Sequence, residues 1–417
     1  MKIKPLLKKN TVKNFGLFLY IFMLIFGPLI GLFDLSIIFS LLGILVSLAV
    51  KTSFKIKINP QMILIYTIIL LTLITTISFL YNNTFNIVLL IRPLRVGLNI
   101  LSTSMVISTF SVNSKFIIRA VIYSILIHAI IVLISANNAD LQVSLSHITG
   151  YNKMPVVYRS SGLTPGFDIS GLIICLGFFL SVIDRVLYHR NNIIIQIVLS
   201  IAVLFTSRFS IILYGSVLLI SLYFFKKNKC GLEYYLFSFV TMVIFIIGLS
   251  LASMSIATSN LNLNYSNRFF NIKWINDIVI SLRSAYAFSD VNKIAGNHFD
   301  LSELNNWLIG DGYYPSVDPG YTVSIYSTGF IGLVFSLSFY VYILIFSIKK
   351  YKSSKDLNSQ MVSIYLIFWA LCILIFNFKN DYFFSSYTNE MGVIILSVLM
   401  YSEDLIKEFN LLRNNYE

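Results

Sequence analysis

The side chains that could accept a proton lie in polar segments between long apolar runs. A hydroxyl nucleophile reacts faster when a carboxylate or an imidazole takes up its proton. We favour Asp318 over His298 as this base, because Asp318 begins the turn "DPGY" directly before an apolar run, whereas His298 lies farther from any run. The other candidates in such segments are His147, Asp300 and Asp311.

Arginine side chains form the second group with possible chemistry. Arg159 lies in "RSSGLTPGFDISG", Arg208 in "TSRFS", and Arg268 in the longest polar segment. A guanidinium group makes paired hydrogen bonds to phosphate oxygens and keeps its charge. Arginines that converge at one membrane surface would therefore suit an anionic lipid headgroup, especially a diphosphate. The alternative is that each arginine extends to the membrane interface or pairs with a carboxylate, such as Asp168, Asp381 or Glu390. For Arg92 and Arg95, which lie on one helical face of the run "LLIRPLR", both interpretations stay open.

The segment "NNWLIGDGYYPSVDPGY", which begins at Asn305, combines turn-forming residues with aromatic and acidic ones. Glycines such as Gly310 and Gly312 allow tight turns and a close approach of the backbone to a ligand. Tyr321 and its neighbouring tyrosines offer flat faces for sugar stacking. The alternative is an ordinary turn at a membrane interface, where tyrosine is common.

The composition indicates a membrane protein. Of the 417 residues, 57% are hydrophobic and 12% are charged. A transmembrane helix needs about 20 mainly apolar residues, and we identify about twelve such runs. They cover residues 15–33, 35–50, 62–81, 86–111, 116–136, 167–187, 192–207, 209–225, 235–254, 321–347, 360–378 and 384–402. The sequence therefore predicts an all-α polytopic membrane protein, with a single integral membrane domain over residues 1–417.

The basic residues predict the orientation of these spans. With a cytoplasmic N-terminus, nearly every lysine and arginine cluster falls on the cytoplasmic side, as the positive-inside rule requires. The clusters lie at residues 2–13, 51–57, 185–190, 226–229 and 349–355. Both termini are then cytoplasmic. The net charge of +13 is an orientation signal rather than a surface for nucleic acid.

Two segments on the extracytoplasmic side are much longer than a turn, at residues 136–167 and 255–320. Apolar residues between positions 272 and 286 recur at helical spacing. "DLSELNNWLIG" contains a capping box and stops at Gly310, which predicts a short helix. We therefore expect the protein to work on this face, through two loops that carry short helices.

Several classes of protein are not supported by the sequence. The three cysteines, Cys175, Cys230 and Cys372, lie in or beside apolar runs and predict neither a disulfide framework nor a thiolate metal site. The chain has no P-loop and no HExxH motif, so nothing indicates an ATP-driven pump or a zinc enzyme.

The order of these features resembles the O-antigen and capsule repeat-unit polymerases (Wzy-type), which share a superfamily with the O-antigen ligases. The similar features are a dozen spans with one medium and one large external loop, an Arg–Gly–Pro element, a Ser–Arg turn and a glycine-rich helix entry. Here they read "RSSGLTPGFDISG", "TSRFS" and "IGDGYYPSVDPGYTVSIYSTGFIG". The motifs cover residues 155–335, and the topology covers the rest of the chain.

The resemblance implies a GT-C-like, metal-independent membrane glycosyltransferase that needs no cofactor. Such an enzyme transfers the growing glycan from undecaprenyl diphosphate onto an incoming lipid-linked repeat unit, at the outer face of the bacterial cytoplasmic (inner) membrane. Its implied partners are undecaprenyl-diphosphate-linked oligosaccharide, membrane lipid and a chain-length regulator. The implied site residues are Arg159, Arg208 and Arg268 on the diphosphate, Gly162 and Pro165 in the first loop, and Gly310, Gly312, Asp318 and Tyr321 in the second.

Two alternatives stay open. An O-antigen ligase would transfer finished glycan to another acceptor, but the ligase branch carries a His–Asn pair where this chain reads "DPGY". A flippase for lipid-linked oligosaccharide would also have about twelve spans and interior arginines. A flippase has little use for a large structured loop on one face.

Overall fold

The computed structural model describes residues 4–30, 33–50, 58–149, 159–227, 301, 304–315 and 320–414. These residues are almost entirely helical, which confirms the predicted all-α class. The helices are α1 (Lys4–Phe26), α2 (Leu35–Val50), α3 (Ile58–Asn82), α4 (Ile87–Phe110), α5 (Ser114–Ser135), α6 (Ala139–Ile148), α7 (Phe167–Tyr188), α8 (Ile193–Leu204), α9 (Arg208–Lys227), α10 (Gly320–Ser353), α11 (Leu357–Phe376) and α12 (Thr388–Asn414). Between α1 and α2, the two-residue strands β1 (Leu29–Ile30) and β2 (Phe33–Asp34) pair antiparallel.

Among the described residues, six helices are long and apolar enough to cross a membrane, which confirms a multi-pass membrane protein. They are α3 (from Met62), α4, α5, α7, α10 and α11. Shorter apolar helices occur at Thr11–Phe26, Leu35–Val50, Ile193–Leu204, Phe209–Phe224 and Thr388–Tyr401. Each of these segments coincides with a predicted run, while the run at 235–254 lies outside the described residues. The count of twelve spans stays a prediction.

Helix ends follow the local sequence. Asn86 accepts a hydrogen bond from the backbone N–H of Val88 at the start of α4, and Asp356 caps the N–H of Ser359 at the start of α11. Such caps satisfy N–H groups that have no partner inside the helix. At the other end of α4, Ser111 adopts a left-handed conformation and its N–H bonds back to Ile107.

The chain divides into two compact units. Unit 1 contains residues 1–125, 148–150 and 300–417, and unit 2 contains residues 126–147 and 151–299. Helices α1 to α4, the first part of α5, and α10 to α12 belong to unit 1. The end of α5, helix α6 as far as His147, and helices α7 to α9 belong to unit 2.

Unit 1 has an aromatic core where α10, α11 and α12 meet. Tyr340 stacks on Phe383 with ring centroids 5.2 Å apart, and Trp369 donates a hydrogen bond from Nε1 to the carbonyl oxygen of Thr388 at 2.8 Å. Gly392 faces the Trp369 ring, and any side chain there would collide with it. Because the tyrosine and tryptophan polar atoms find partners, these large rings can be buried without an unsatisfied donor.

The two ends of unit 1 differ in character. At the end we call the basic end, α10 terminates in lysines at 349, 350 and 352, and Lys13 donates to the carbonyl oxygen of Phe110 at 2.9 Å. At the opposite end, which we call the loop end, lie residues 304–315 and 377–387 together with the start of α4 and of α12. The described candidates of unit 1, Gly310, Asp311, Gly312 and Tyr321, are at the loop end.

Helix α10 is broken at Gly329, whose φ of 70° and ψ of −172° are not helical. The backbone N–H groups of Phe330 and Ile331, which lose their helical partners at the break, donate to the carbonyl oxygens of Trp307 and Leu308 at 2.8 and 3.2 Å. The loop 304–315 therefore completes the hydrogen bonding of a discontinuous membrane helix, as the apolar surroundings require.

Unit 2 is organised around α7, which is buried along nearly its whole length. Gly171 allows close approach of α9, since a side chain there would overlap Ser210 and Thr206. Farther along the same interface, Phe178 packs edge-on against Tyr214 with ring centroids 5.2 Å apart. This tight packing fixes the starts of α7 and α9 at the same end of the unit.

Candidate functional site

In unit 2, the Arg–Gly–Pro element and the Ser–Arg turn are hydrogen-bonded to each other. The N–H of Ser160 donates to the carbonyl oxygen of Phe205 at 2.8 Å, and Nε of Arg159 donates to the carbonyl oxygen of Thr206 at 3.0 Å. We call this contact the 159–206 joint. Two segments about 45 residues apart in sequence, both proposed as site elements from sequence alone, thus lie together.

The guanidinium of Arg159 lies over the ring of Phe167, 4.4 Å from its centroid. Such cation–π contacts fix the plane of an arginine side chain while leaving its edge for hydrogen bonds. Phe167 begins α7, and the N-cap Gly166 provides no side-chain hydrogen bond to this helix start. Asp168 lies in the first turn of α7.

Helix α9 begins at Arg208, two residues after the carbonyl that Arg159 binds. The backbone of Arg208 is described, and its side chain lies outside the described residues. Two helix N-termini therefore lie at the 159–206 joint. Each carries a partial positive charge from its aligned peptide dipoles.

Gly162 gives the first loop its shape. Its φ of +54° is left-handed, and its N–H donates to Oγ of Ser160 at 3.0 Å. A Cβ at this position would lie 2.7 Å from Cγ2 of Val132 and 2.9 Å from Cε1 of His128. The position thus requires glycine for both conformation and space. Pro165 lies in the same loop, partly buried, two residues before α7.

His128 is a structural residue of unit 2, as its place in an apolar run suggests. It is fully buried, its Nε2 lies 3.0 Å from Oγ of Ser170, and its Nδ1 accepts the N–H of Leu163 at 3.2 Å. The Nδ1 atom is therefore an acceptor, so Nε2 carries the proton and donates to Ser170. This histidine ties the first loop to α5 and α7.

In unit 1, the loop 304–315 is closed by the carboxylate of Asp311. Its two oxygens accept the N–H groups of Asn305 at 3.0 Å and Asn306 at 2.9 Å. Residues 304–310 form turns, so the predicted short helix is wrong over this stretch. The physical reason is that Asp311 and the Asn306 side chain bind N–H groups that a helix would use.

Gly310 and Gly312 have φ values of +71° and +73°, both left-handed. A Cβ on Gly310 would lie 2.5 Å from the backbone nitrogen of Gly329, and one on Gly312 would overlap Oγ1 of Thr84. The carbonyl oxygen of Gly310 also accepts Nδ2 of Asn82 at 2.9 Å. These glycines let the loop lie against the break in α10 and the end of α3.

Tyr321 lies in the first turn of α10 and is partly buried. Its hydroxyl donates to the carbonyl oxygen of Leu374 at 2.7 Å. Its ring centroid lies 4.7 Å from that of Phe378 and 5.3 Å from that of Phe383. The hydroxyl and one ring face are thus used in packing α10 against α11, and a sugar-stacking role for this residue stays a prediction.

The loop end of unit 1 also holds a charged cluster around Arg92 and Arg95, the two arginines of "LLIRPLR". Arg92 forms an ion pair with Oδ2 of Asp381, and the hydroxyl of Tyr314 donates to the same oxygen at 3.0 Å. The Arg92 guanidinium lies 5.1 Å from the centroid of the Tyr314 ring. Burial, and then the negative charge of Asp381, raise the pKa of Tyr314, so it stays a protonated donor at neutral pH.

One helical turn farther along α4, Arg95 is buried between two carboxylates. It lies 2.8 Å from Asp34 and 3.0 Å from Glu390, and it also donates to the carbonyl oxygen of Phe384 at 3.1 Å. For Arg92 and Arg95, the alternative of pairing with carboxylates is therefore confirmed. The arginine positions were visible in the sequence, but their acidic partners come from distant loops and helices.

His147 is exposed in the last turn of α6. The remaining candidates, Arg268, His298, Asp300 and Asp318, lie outside the described residues. Within the described ranges, no group of three or more His, Cys, Asp or Glu side chains is placed to hold a metal ion. No protein-family model and no curated protein matches the chain.

Proposed function

We propose that this chain is a membrane glycosyltransferase that polymerises lipid-linked oligosaccharide repeat units for a surface polysaccharide. It transfers the growing glycan from undecaprenyl diphosphate onto an incoming repeat unit at the outer face of the bacterial cytoplasmic membrane. The 159–206 joint is the observation that carries the proposal. It joins the two arginine-bearing segments, so that Arg159 and the start of α9 at Arg208 lie at one end of unit 2.

The electrostatics of this end favour an anionic group. Arg159 lies at this end, the first residue of α9 is a second arginine, Arg208, and the helix N-termini of α7 and α9 add to the positive potential. A diphosphate leaving group gains negative charge as its bond to the sugar breaks. Guanidinium groups held in place stabilise that charge more than water does, which lowers the barrier.

The proposed reaction is a displacement at the anomeric carbon of the donor glycan. A hydroxyl of the incoming repeat unit forms the new glycosidic bond, the bond between the anomeric carbon and the diphosphate oxygen breaks, and undecaprenyl diphosphate leaves with the bonding electrons. The hydroxyl proton passes to a base, for which Asp318 and His298 are the candidates. Gly162 and the bonds of His128 hold the arginine-bearing loop in position.

The test is deletion of the gene in its native host, with analysis of the surface glycan on a gel. We expect the deletion strain to show single repeat units in place of a ladder. The wild-type gene should restore the ladder, and the Arg159→Ala gene should not. Arg159→Lys should also fail to restore more than about a tenth of the ladder, because lysine cannot reproduce the Nε bond to Thr206 while contacting phosphate. The matched control is Arg190→Ala, an exposed arginine just beyond the opposite end of α7, which should restore a normal ladder.

Other patterns would contradict the proposal in distinct ways. Full-length polymer that stays on the lipid carrier would indicate a ligase. A wild-type ladder in the deletion strain would show that the protein is not the polymerase. A normal ladder with Arg159→Ala, at an unchanged amount of membrane protein, would remove the diphosphate role of the 159–206 joint.

A further inference from the structure

We propose that Phe167 is a positioning residue of the 159–206 joint, whose ring holds the guanidinium of Arg159 in the orientation that binds phosphate oxygens. This inference rests on the proposed role of Arg159 at the diphosphate and extends it by one residue. Phe167 acts through Arg159 and does not itself contact the substrate. The sequence alone suggested no site role for this phenylalanine.

Two contacts hold the guanidinium of Arg159 from different directions. Its Nε–H donates to the carbonyl oxygen of Thr206 at 3.0 Å, which anchors one edge of the planar group. The ring of Phe167 lies against the group, with Cζ of Arg159 4.4 Å from the ring centroid. A cation over a ring face is attracted by the negative potential of that face. Together the two contacts determine where the terminal nitrogens of the guanidinium point.

The backbone next to Arg159 is anchored as well. The N–H of Ser160 donates to the carbonyl oxygen of Phe205 at 2.8 Å, and the Oγ atoms of Ser160 and Ser135 lie 2.5 Å apart. An arginine side chain has many rotamers, and ordering such a side chain opposes binding. Because the backbone and the guanidinium are both held before a ligand arrives, Arg159 binds an anion with less loss of conformational entropy.

A tight turn brings Phe167 back to Arg159. Within this turn, the N–H and Oγ1 of Thr164 both donate to the carbonyl oxygen of Ser161, at 3.0 and 2.8 Å. Phe167 then begins α7, which is buried along nearly its whole length, so the ring is attached to a firmly held helix. Arg159 and Phe167 are both half-buried, which leaves the pair accessible to a ligand.

The end of a membrane helix offers a simpler explanation for an aromatic residue. Aromatic rings are common at membrane interfaces, where they need no charged partner. Under that alternative, the size and apolar character of the side chain matter, and the electrostatic potential of the ring face does not. Under the proposal, the potential of the ring face determines how well Arg159 is held. The two explanations therefore differ when only this potential is changed.

The experiment changes the ring and measures anion binding without turnover. The full-length protein in detergent is titrated with inorganic pyrophosphate by isothermal titration calorimetry. Phe167→Leu, which keeps an apolar side chain, should weaken binding about threefold to tenfold, the usual effect of ordering one long side chain on binding. Phe167→Trp should bind at least as tightly as the wild type, because tryptophan attracts a cation best.

Fluorine substitution isolates the potential of the ring face. Phenylalanine analogues with one, two or three ring fluorines, introduced at position 167 by amber suppression, keep nearly the same shape but have a less negative ring face. The affinity for pyrophosphate should fall with each added fluorine and approach that of Phe167→Leu.

The matched control is the same fluorine series at Phe178. This residue lies on the same helix and packs edge-on against Tyr214, with ring centroids 5.2 Å apart. Fluorines at Phe178 should leave the affinity for pyrophosphate unchanged. An affinity that does not depend on the fluorines at position 167, or that depends on them equally at both positions, would overturn the inference. Wild-type affinity in Phe167→Leu would overturn it too.

The two proposals can fail separately. A normal glycan ladder in the deletion strain rejects the polymerase, and fluorine-dependent binding would still show that Phe167 positions Arg159 at an anion site. A lost ladder together with binding that ignores the ring at position 167 rejects the positioning role alone. No pyrophosphate binding to the wild type rejects the anion site and this inference together. The fluorinated proteins are decisive if Phe167→Leu fails to fold, since they keep the ring in place.

Discussion

At the scale of single residues, Gly162 and Gly166 form a natural pair for testing the arginine-bearing loop. Gly162 has a φ of +54° and no room for a Cβ, whereas Gly166 has a φ of −148° and a Cβ added there would meet nothing within 4 Å. Gly162→Ala should lower stability by about 1–2 kcal/mol, since alanine disfavours the left-handed region. Gly166→Ala should have almost no effect. Thermal unfolding in detergent provides the measurement, and equal melting temperatures for the two variants would contradict the assignment.

Several glycines named in the sequence analysis have special backbones in the structure. Gly310 and Gly312 were expected to shape a loop from residue type and Gly162 from the family resemblance, and all three have left-handed backbones. The pairing of Arg92 with Asp381 could not be read from residue type, because 289 residues separate them and tertiary packing brings α4 beside the segment between α11 and α12. Sequence showed which charges needed partners, and the tertiary fold decided which partners they received.

At the scale of elements, the break in α10 depends on Gly329. The φ of 70° and ψ of −172° at this position are essentially restricted to glycine, and a Cβ would overlap the carbonyl oxygen of Leu308. Gly329→Ala should therefore separate the loop 304–315 from α10 and speed its cleavage by chymotrypsin. Gly215→Ala, in the middle of α9 with open space around the added Cβ, is the control and should be at least as stable as the wild type. An unchanged rate of cleavage in Gly329→Ala would show that the loop is held by other contacts.

The elements themselves differ in how far sequence could predict them. The apolar runs predicted the positions of the membrane helices well, because a span must hydrogen-bond its own backbone and present apolar side chains to lipid. The same run continued across "STGFIG", so hydropathy gave no sign of the break at Gly329. The short helix expected before Gly310 did not form over 304–310, since the Asp311 carboxylate competes for its N–H groups across only five or six residues.

At the scale of the whole molecule, the basic residues of unit 1 differ between its two ends. Lys13 and the lysines that end α10 lie at the basic end, while Arg92 and Arg95 at the loop end are paired with Asp34, Asp381 and Glu390. The positive-inside rule assigns the basic end to the cytoplasm, and the proposed function requires the loop end to face outward. These two requirements agree, although they come from different properties of the chain.

Cysteine labelling tests that orientation directly. Cys175 and Cys372 are buried, and Cys230, which lies outside the described residues, is replaced by serine so that it does not contribute background labelling. Trp307→Cys places a thiol at the loop end, where the native side chain is 56% exposed, and Lys352→Cys places one at the exposed basic end. A membrane-impermeant maleimide should label the first variant in intact spheroplasts and the second only after permeabilisation. The reverse pattern would put the loop end in the cytoplasm, where lipid-linked glycan is not polymerised in the proposed reaction, and both the orientation and the polymerase would have to be abandoned.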